Sequence, residues 1–186
     1  MAARFDNLDP RGLKSAGLSQ RERSELIDRI QWLKDLSWQQ VELLAGCVEA
    51  FAVAKGEEIF REGDRPAFMC LIGAGRVSIV KEDSSSSRKK ITNLGRGQAF
   101  GEMSLVDGEP RSATVLAATN VLLLLLTREN FYSLLEDYPP IGVKVLLRIM
   151  RSMSQRLRMT SGVLVDALEH PTGGRRGKAT PLRGSR

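Results

Sequence analysis

Between residues 51 and 126 the chain is cut into short β-prone runs, at 51–54, 57–61, 67–72, 76–81, 89–94, 112–117 and 120–126. Glycines at 56, 63, 73, 75, 95, 97 and 108 punctuate them. Runs this short cannot each bury a hydrophobic face alone. Many of them in succession, with turns at near-regular spacing, predict a sandwich or a jelly-roll barrel, which closes most of its edges on itself. Val121 to Leu126 is unusual among them. A strand with one wet face alternates, whereas six consecutive apolar residues place aliphatic side chains on both faces. The outer face must then be covered by a helix of this chain or by a partner, and the flanking helices favour the first.

Those helices are legible by spacing. Leu26, Ile27, Ile30 and Leu33 recur at helical intervals after Ser19, and Ser37 with Gln40 fits a capping box that opens a second helix. Val41, Leu43, Leu44, Val48, Trp32 and Trp38 read as packing residues. Beyond the β region, Thr127 can cap a helix running to about Asp137, and Pro139-Pro140 then interrupts the chain and suits the first turn of another helix. Such a break directly after the β region is a natural hinge. In the final helix, Leu146, Met150, Met153, Leu157, Thr160, Leu164 and Ala167 follow alternating steps of four and three. That is either a coiled-coil seam or the apolar stripe of a helix lying on its own domain.

The net charge of +6 raises nucleic-acid binding, so its location matters. Arg175, Arg176, Lys178, Arg183 and Arg186 put +5 into residues 171–186, and the first nineteen residues carry +1, so residues 20–170 are neutral. The body therefore has no electrostatic case for DNA, and the basic balance belongs to the tails. Cys47 and Cys70 lie in apolar contexts without metal-ligand spacing and read as reduced core thiols. His170 is the sole histidine, which excludes a histidine-built metal site and a Ser-His-Asp triad. Arg4, Asp6 and Asp9 break up any leader-like opening, and no apolar run approaches the length of a membrane span, so a cytoplasmic protein is expected.

The chemistry concentrates in residues 100–115, FGEMSLVDGEPRSATV. Gly101 permits a backbone conformation or close approach that a side chain would block. Glu102, Met103 and Ser104 could form a short helical turn whose free N–H groups suit an anion. Arg111 adds a permanent planar cation with donors spaced for phosphate oxygens, and Ser112 and Ala113 follow it. Glu102 can accept from a sugar hydroxyl. Together these describe a pocket for a phosphorylated sugar, with neither nucleophile nor general base among them.

This stretch resembles the phosphate-binding cassette of cyclic-nucleotide-binding domains, as in catabolite activator proteins and regulatory subunits of cyclic-AMP-dependent protein kinase. The matching residues are Phe100-Gly101-Glu102 and Pro110 to Val115. Glu58 to Asp64, Gly75 to Val80 and Gly97 to Phe100 resemble the strand-and-turn signatures of the same family, and the likeness covers about residues 35–165. The resemblance implies Glu102 on the ribose 2′-hydroxyl and Arg111 on the cyclic phosphate, with Gly101, Met103, Ser104, Ser112 and Ala113 completing the ligand site. Arg156 to Ser161 resembles the dimerisation helix of the activator proteins, which implies that Thr160 and Ser161 contact the base, one from each subunit. Serine at position 112 accompanies cyclic AMP in the activator proteins; cyclic GMP and cyclic di-GMP are the alternatives.

The expectation is thus an α+β, mainly β, chain. It comprises a flexible arm over 1–19, a cyclic-nucleotide-binding domain over 20–168 and a basic disordered tail over 169–186. Within the domain, an eight-stranded jelly-roll barrel occupies about residues 50–127, preceded by N-terminal helices and followed by a hinge and long helix to 168. It should need no cofactor or metal and catalyse nothing. A stand-alone receptor for cyclic AMP would signal to an effector protein and could form a homodimer through residues 146–167. Residues 169–186 are too few for a DNA-binding domain, and no membrane span is expected. The competing expectations are a ligand-independent interaction module and DNA binding through the basic tail. Ser84 to Ser87 reads as a solvated hairpin tip.

Overall fold

The computed structural model describes residues 13–30, 33–82 and 87–169. The expectations that concern residues 1–12, Trp32, Ser84 to Ser86 and the basic segment 170–186 lie outside the described residues. Two compact units are distinguished, residues 1–149 and 150–186.

In the first unit, nine strands form two antiparallel sheets among the described residues. The strands β1 (Lys14–Ser15), β2 (Glu49–Val53), β9 (Val121–Thr127), β4 (Phe68–Ala74) and β7 (Ala99–Phe100) lie side by side in that order in one sheet. The other contains β3 (Glu58–Phe60), β8 (Thr114–Ala117), β5 (Arg76–Glu82) and β6 (Arg88–Gly95), again in spatial order. The seven strands read from the sequence are all present, with ends shifted by a few residues. Two short ones lie outside those seven runs. Lys14 and Ser15, expected in a flexible arm, pair with Ala52 and Phe51 at the edge of the first sheet. Ala99 and Phe100 pair with Leu71 and Cys70. Neither segment is long enough to show a periodicity of its own.

The core lies between the sheets. Phe51, Val53, Phe68, Cys70, Ile72, Phe100, Val121, Leu123 and Leu125 from one sheet meet Ile59, Phe60, Val77, Leu94, Val115 and Ala117 from the other. Leu123 and Leu125 are fully buried in this core, while Leu124 and Leu126 on the opposite face of β9 line a small apolar cavity. Ile27, Leu33, Leu44, Val48 and Val145 close that cavity from the helical side. The two-sided apolar strand is therefore covered by helices of the same chain.

Helices from both before and after β9 in the chain do the covering. The first, α1 (Gln20–Asp28), opens with a capping box in which the Ser19 side chain accepts from Glu22 N–H and the Glu22 carboxylate accepts from Ser19 N–H. It is shorter than the expected run to Leu33, which instead follows in a tight turn held by Leu33 N–H donating to Ile30 O. The second, α2 (Trp38–Cys47), has the expected Ser37–Gln40 capping box. After β9, Thr127 caps the next helix, which we number α4 (Arg128–Asp137), by accepting from Asn130 N–H. The intervening α3 (Glu102–Asp107) belongs to the site described below.

Tyr138 separates α4 from α5 (Pro139–Glu169), so the chain turns where the two prolines predict. Gly142 lies at this corner. A Cβ added there would stand 2.8 Å from Leu135 Cδ2 and 2.9 Å from Leu135 Cα, so the two helices touch backbone to backbone. Ile141, Val145 and Ile149 bury the inner face of the first turns of α5. Lys144 Nζ donates to Asp35 O at 2.8 Å and Gln40 Oε1 at 2.9 Å, and Arg148 pairs with the Asp35 carboxylate. The second unit contains the remainder of α5, where Leu157, Leu164 and Leu168 are exposed. No described helix is long and apolar enough to cross a membrane.

Because β9 is core on both faces, Leu123→Ala and Leu124→Ala should each cost about 2–5 kcal/mol in urea-induced unfolding. Leu122→Ala, at a half-buried position, should cost clearly less.

Candidate functional site

The chain reverses direction after β7 through Gly101, which holds φ +78°, and enters the six-residue helix α3. The left-handed backbone favours glycine on its own account. Space demands it as well, since a Cβ would lie 2.8 Å from Arg111 Nη1 and 2.9 Å from Phe68 O. What fills the space beside Gly101 is the Arg111 guanidinium, whose Nη1 donates to Gly101 O at 3.0 Å.

Arg111 is only 3% exposed, an unusual state for a residue that remains charged at neutral pH. Its Cζ stands 4.0 Å from the Phe60 ring centroid and 4.2 Å from that of Phe68. Those rings meet each other edge-on at 5.8 Å, and Phe60 packs at the same distance on Phe100. The aromatic faces offer the cation a partial substitute for water. Burial nonetheless pulls its pKa down to about 10, with Cys70, Asp64 and Glu102 acting in the opposite direction. The value stays far above neutrality, so the side chain is cationic. Two of its nitrogens, Nε and Nη2, are buried with no hydrogen-bond partner. A buried cation with two idle donors is an uncompensated cost, and an anion with oxygens spaced for a planar fork would relieve it.

The rest of the cassette is laced to the turn after β3. Arg111 N–H donates to Asp64 O, Gly63 N–H donates to Arg111 O, and Glu62 N–H donates to Thr114 Oγ1. Glu102, the first residue of α3, is 3% exposed, as is Ser104. Both are charged or polar side chains drawn inward and not displayed on a solvated surface. Met103 is exposed and its sulfur accepts from Ser112 Oγ at 3.6 Å, which joins α3 to the segment after Arg111. Ala113 is half-buried between Ser112 and β8. Cys70, near enough to Arg111 to feel its charge, is fully buried, its thiol pushed up to about 12 by burial and so inert.

Seven of the nine residues singled out in the sequence, Gly101, Glu102, Met103, Ser104, Arg111, Ser112 and Ala113, thus converge in the first unit. Thr160 and Ser161 lie on α5 within the second unit, both in helical backbone and exposed. Sequence reasoning missed the aromatic platform. Phe60 and Phe68 read as ordinary inward residues of β runs, and only the pairing of β3 with β8 and β4 with β7 brings them to Arg111. It also missed Lys81, whose ammonium reaches Ser112 O and Glu62 Oε1, both at 3.0 Å.

Residues 51–138 match the family model of the cyclic nucleotide-binding domain. The chain matches this model over a little under half of its length. It is similar to the type II regulatory subunit of cAMP-dependent protein kinase of Drosophila melanogaster, with 36% identity over 112 residues, 60% of this chain and 29% of that protein. It is also similar to the cyclic AMP receptor protein of Thermus thermophilus, 28% identical over 120 residues, 64% of this chain and 56% of that one. The chain therefore spans about half or less of the length of these two curated relatives. Among solved structures, a cyclic nucleotide-binding domain from Methylobacillus flagellatus superimposes with a TM-score of 0.69 at 29% identity, covering 84% of this chain and 86% of that one. The two antiparallel sheets and flanking helices are accordingly the cyclic-nucleotide-binding fold, and this is a family of regulatory binding domains.

Replacing Gly101 by alanine should be disruptive twice over, by forcing a left-handed alanine and by driving a methyl into Arg111 and the Phe68 carbonyl. We expect a loss of about 1–3 kcal/mol from the backbone alone in urea unfolding. The Arg111 resonances should also move in NMR spectra of the variant.

Proposed function

We propose that the chain is a non-enzymatic receptor for a cyclic nucleotide, cyclic AMP first, and that it acts on another protein through its C-terminal helices. The observation that carries the proposal is Arg111, a buried cation whose Nε and Nη2 donors have no partner. In this reading the cyclic phosphate takes those donors, the Glu102 carboxylate takes the ribose 2′-hydroxyl, and Gly101, Met103, Ser104, Ser112 and Ala113 line the ligand. None of these groups is a nucleophile placed on a general base, so the ligand is held and released unchanged. A phosphate seated in the cassette would neutralise the guanidinium and draw α3 and residues 111–113 around it. The corner at Tyr138 offers the nearest joint by which such a rearrangement could reach α5.

The same reading takes residues 20–168 as the functional domain and its two sheets as a jelly roll. Strands β2 to β9 number eight, with β1 added at one edge. It also assigns Thr160 and Ser161 to the base, on a helix paired with a second copy of the chain. Support for the pairing comes from Leu157 and Leu164, which lie on the heptad seam and are 69% and 59% exposed. Ser112 beside the arginine is the residue that favours cyclic AMP over cyclic GMP or cyclic di-GMP.

Isothermal calorimetry with the three nucleotides tests the assignment directly. Cyclic AMP should bind, and Arg111→Leu should weaken it at least about ten-fold, since a charge-assisted contact contributes about 1.5–3 kcal/mol. Thermal shift of the wild-type chain should rise with cyclic AMP concentration and be lost in Arg111→Leu. Heat from none of the three nucleotides would overturn the receptor reading.

A further inference from the structure

Lys81 lies on β5, whose register with β8 runs from Val77 opposite Ala117 to Val80 opposite Thr114. One step further along the strand, Lys81 lies just outside that ladder. Its side chain does not extend into solvent as an isolated charge. The ammonium donates to Ser112 O at 3.0 Å and pairs with Glu62 Oε1 at the same distance. Glu62 is itself fixed, because its N–H donates to Thr114 Oγ1 and the next residue, Gly63, donates to Arg111 O. One cation therefore ties β5, the turn after β3 and the segment that follows Arg111.

The geometry of the peptide unit gives this tie a consequence. In a trans peptide the C=O of one residue and the N–H of the next point to opposite sides of the chain. Holding Ser112 O against Lys81 turns Ala113 N–H to the side away from Lys81. Ser112 Oγ meanwhile meets Met103 on α3, on the cassette side. We propose that Lys81 is a positioning residue for the ligand site: by gripping the Ser112 carbonyl it presents the Ala113 N–H to the cyclic phosphate beside Arg111. This rests on the receptor reading above. Two of the three ammonium donors of Lys81 are taken by Ser112 and Glu62, and on this reading it acts on the ligand only through the carbonyl that it holds.

The free charge of Lys81 is not what matters on this account, but its donor geometry at one carbonyl is. Arginine, which can donate to both the carbonyl and the carboxylate, should substitute, whereas methionine, with the same reach and no donor, should not. The test compares wild type, Lys81→Met and Lys81→Arg in the full chain by calorimetry with cyclic AMP, and follows the Ala113 amide in ¹⁵N-labelled protein. We expect ~3–10-fold weaker binding for Lys81→Met, the scale of one hydrogen bond, and recovery in Lys81→Arg. The Ala113 amide proton should move strongly downfield on cyclic AMP binding in wild type and Lys81→Arg, and much less in Lys81→Met.

Equal affinity in wild type and Lys81→Met would overturn the proposal while leaving the receptor reading standing. Weaker binding in Lys81→Met with the Ala113 shift intact would also overturn it, by placing Lys81 on the ligand and not behind it. Wild-type protein that binds no cyclic nucleotide would remove both readings together. A thermal unfolding scan of each ligand-free variant keeps a folding defect from passing as a binding one; Lys81→Met should unfold within a few degrees of wild type, and a collapse of the fold would assign Lys81 to stability and overturn its positioning role.

Discussion

The burial of one guanidinium organises this domain. Arg111 is out of water, stacked against two phenylalanine rings, and given a single hydrogen bond through a glycine carbonyl that it can approach only because the glycine has no side chain. Moving a charge into such surroundings is costly unless something compensates for it. The aromatic faces and nearby acidic groups compensate in part, and the lowered pKa records what remains. Gly101, Phe60, Phe68 and the lacing of residues 61–64 to 111–114 are all comprehensible as parts of one arrangement that keeps a cation buried, oriented and incompletely satisfied.

That incompleteness is what the receptor reading rests on. A salt bridge made only for stability would bring a carboxylate into hydrogen-bonding range of each idle donor. Here the donors are aimed and left available among the described residues, while Glu102 stands close enough to influence the charge without consuming Nε or Nη2. On the receptor reading, a fork held in place in this way would take a tetrahedral anion with little reorganisation, so that affinity would come from preparation more than from contact area.

Much of this was legible in the sequence, for identifiable reasons. The capping boxes at Ser19 and Ser37, the Thr127 cap and the Pro139-Pro140 break are local signals, readable because the interactions span three or four residues. The two-sided apolar strand announced its own covering. Gly101, Glu102 and Arg111 stood out because they lie close together in one short stretch, where the residue types suggested an anion pocket and the resemblance to a known cassette gave each a role. Phe60, Phe68 and Lys81 did not, because their roles depend on strand register across 30 to 50 residues of chain, which periodicity does not encode. Strands β1 and β7 escaped for a different reason: two-residue strands exist only by pairing with longer neighbours.

The corner between α4 and α5 carries a mechanical meaning. At Gly142 the two helices are already in contact, with Leu135 occupying the place where any side chain would go. Close-packed atoms resist further approach steeply but yield more readily to separation. The joint at Tyr138 therefore sits against a stop. Movement that brought α4 and α5 closer at this corner would meet that contact at once, and the Lys144 and Arg148 contacts to Asp35 tie the first turns of α5 to the segment before α2.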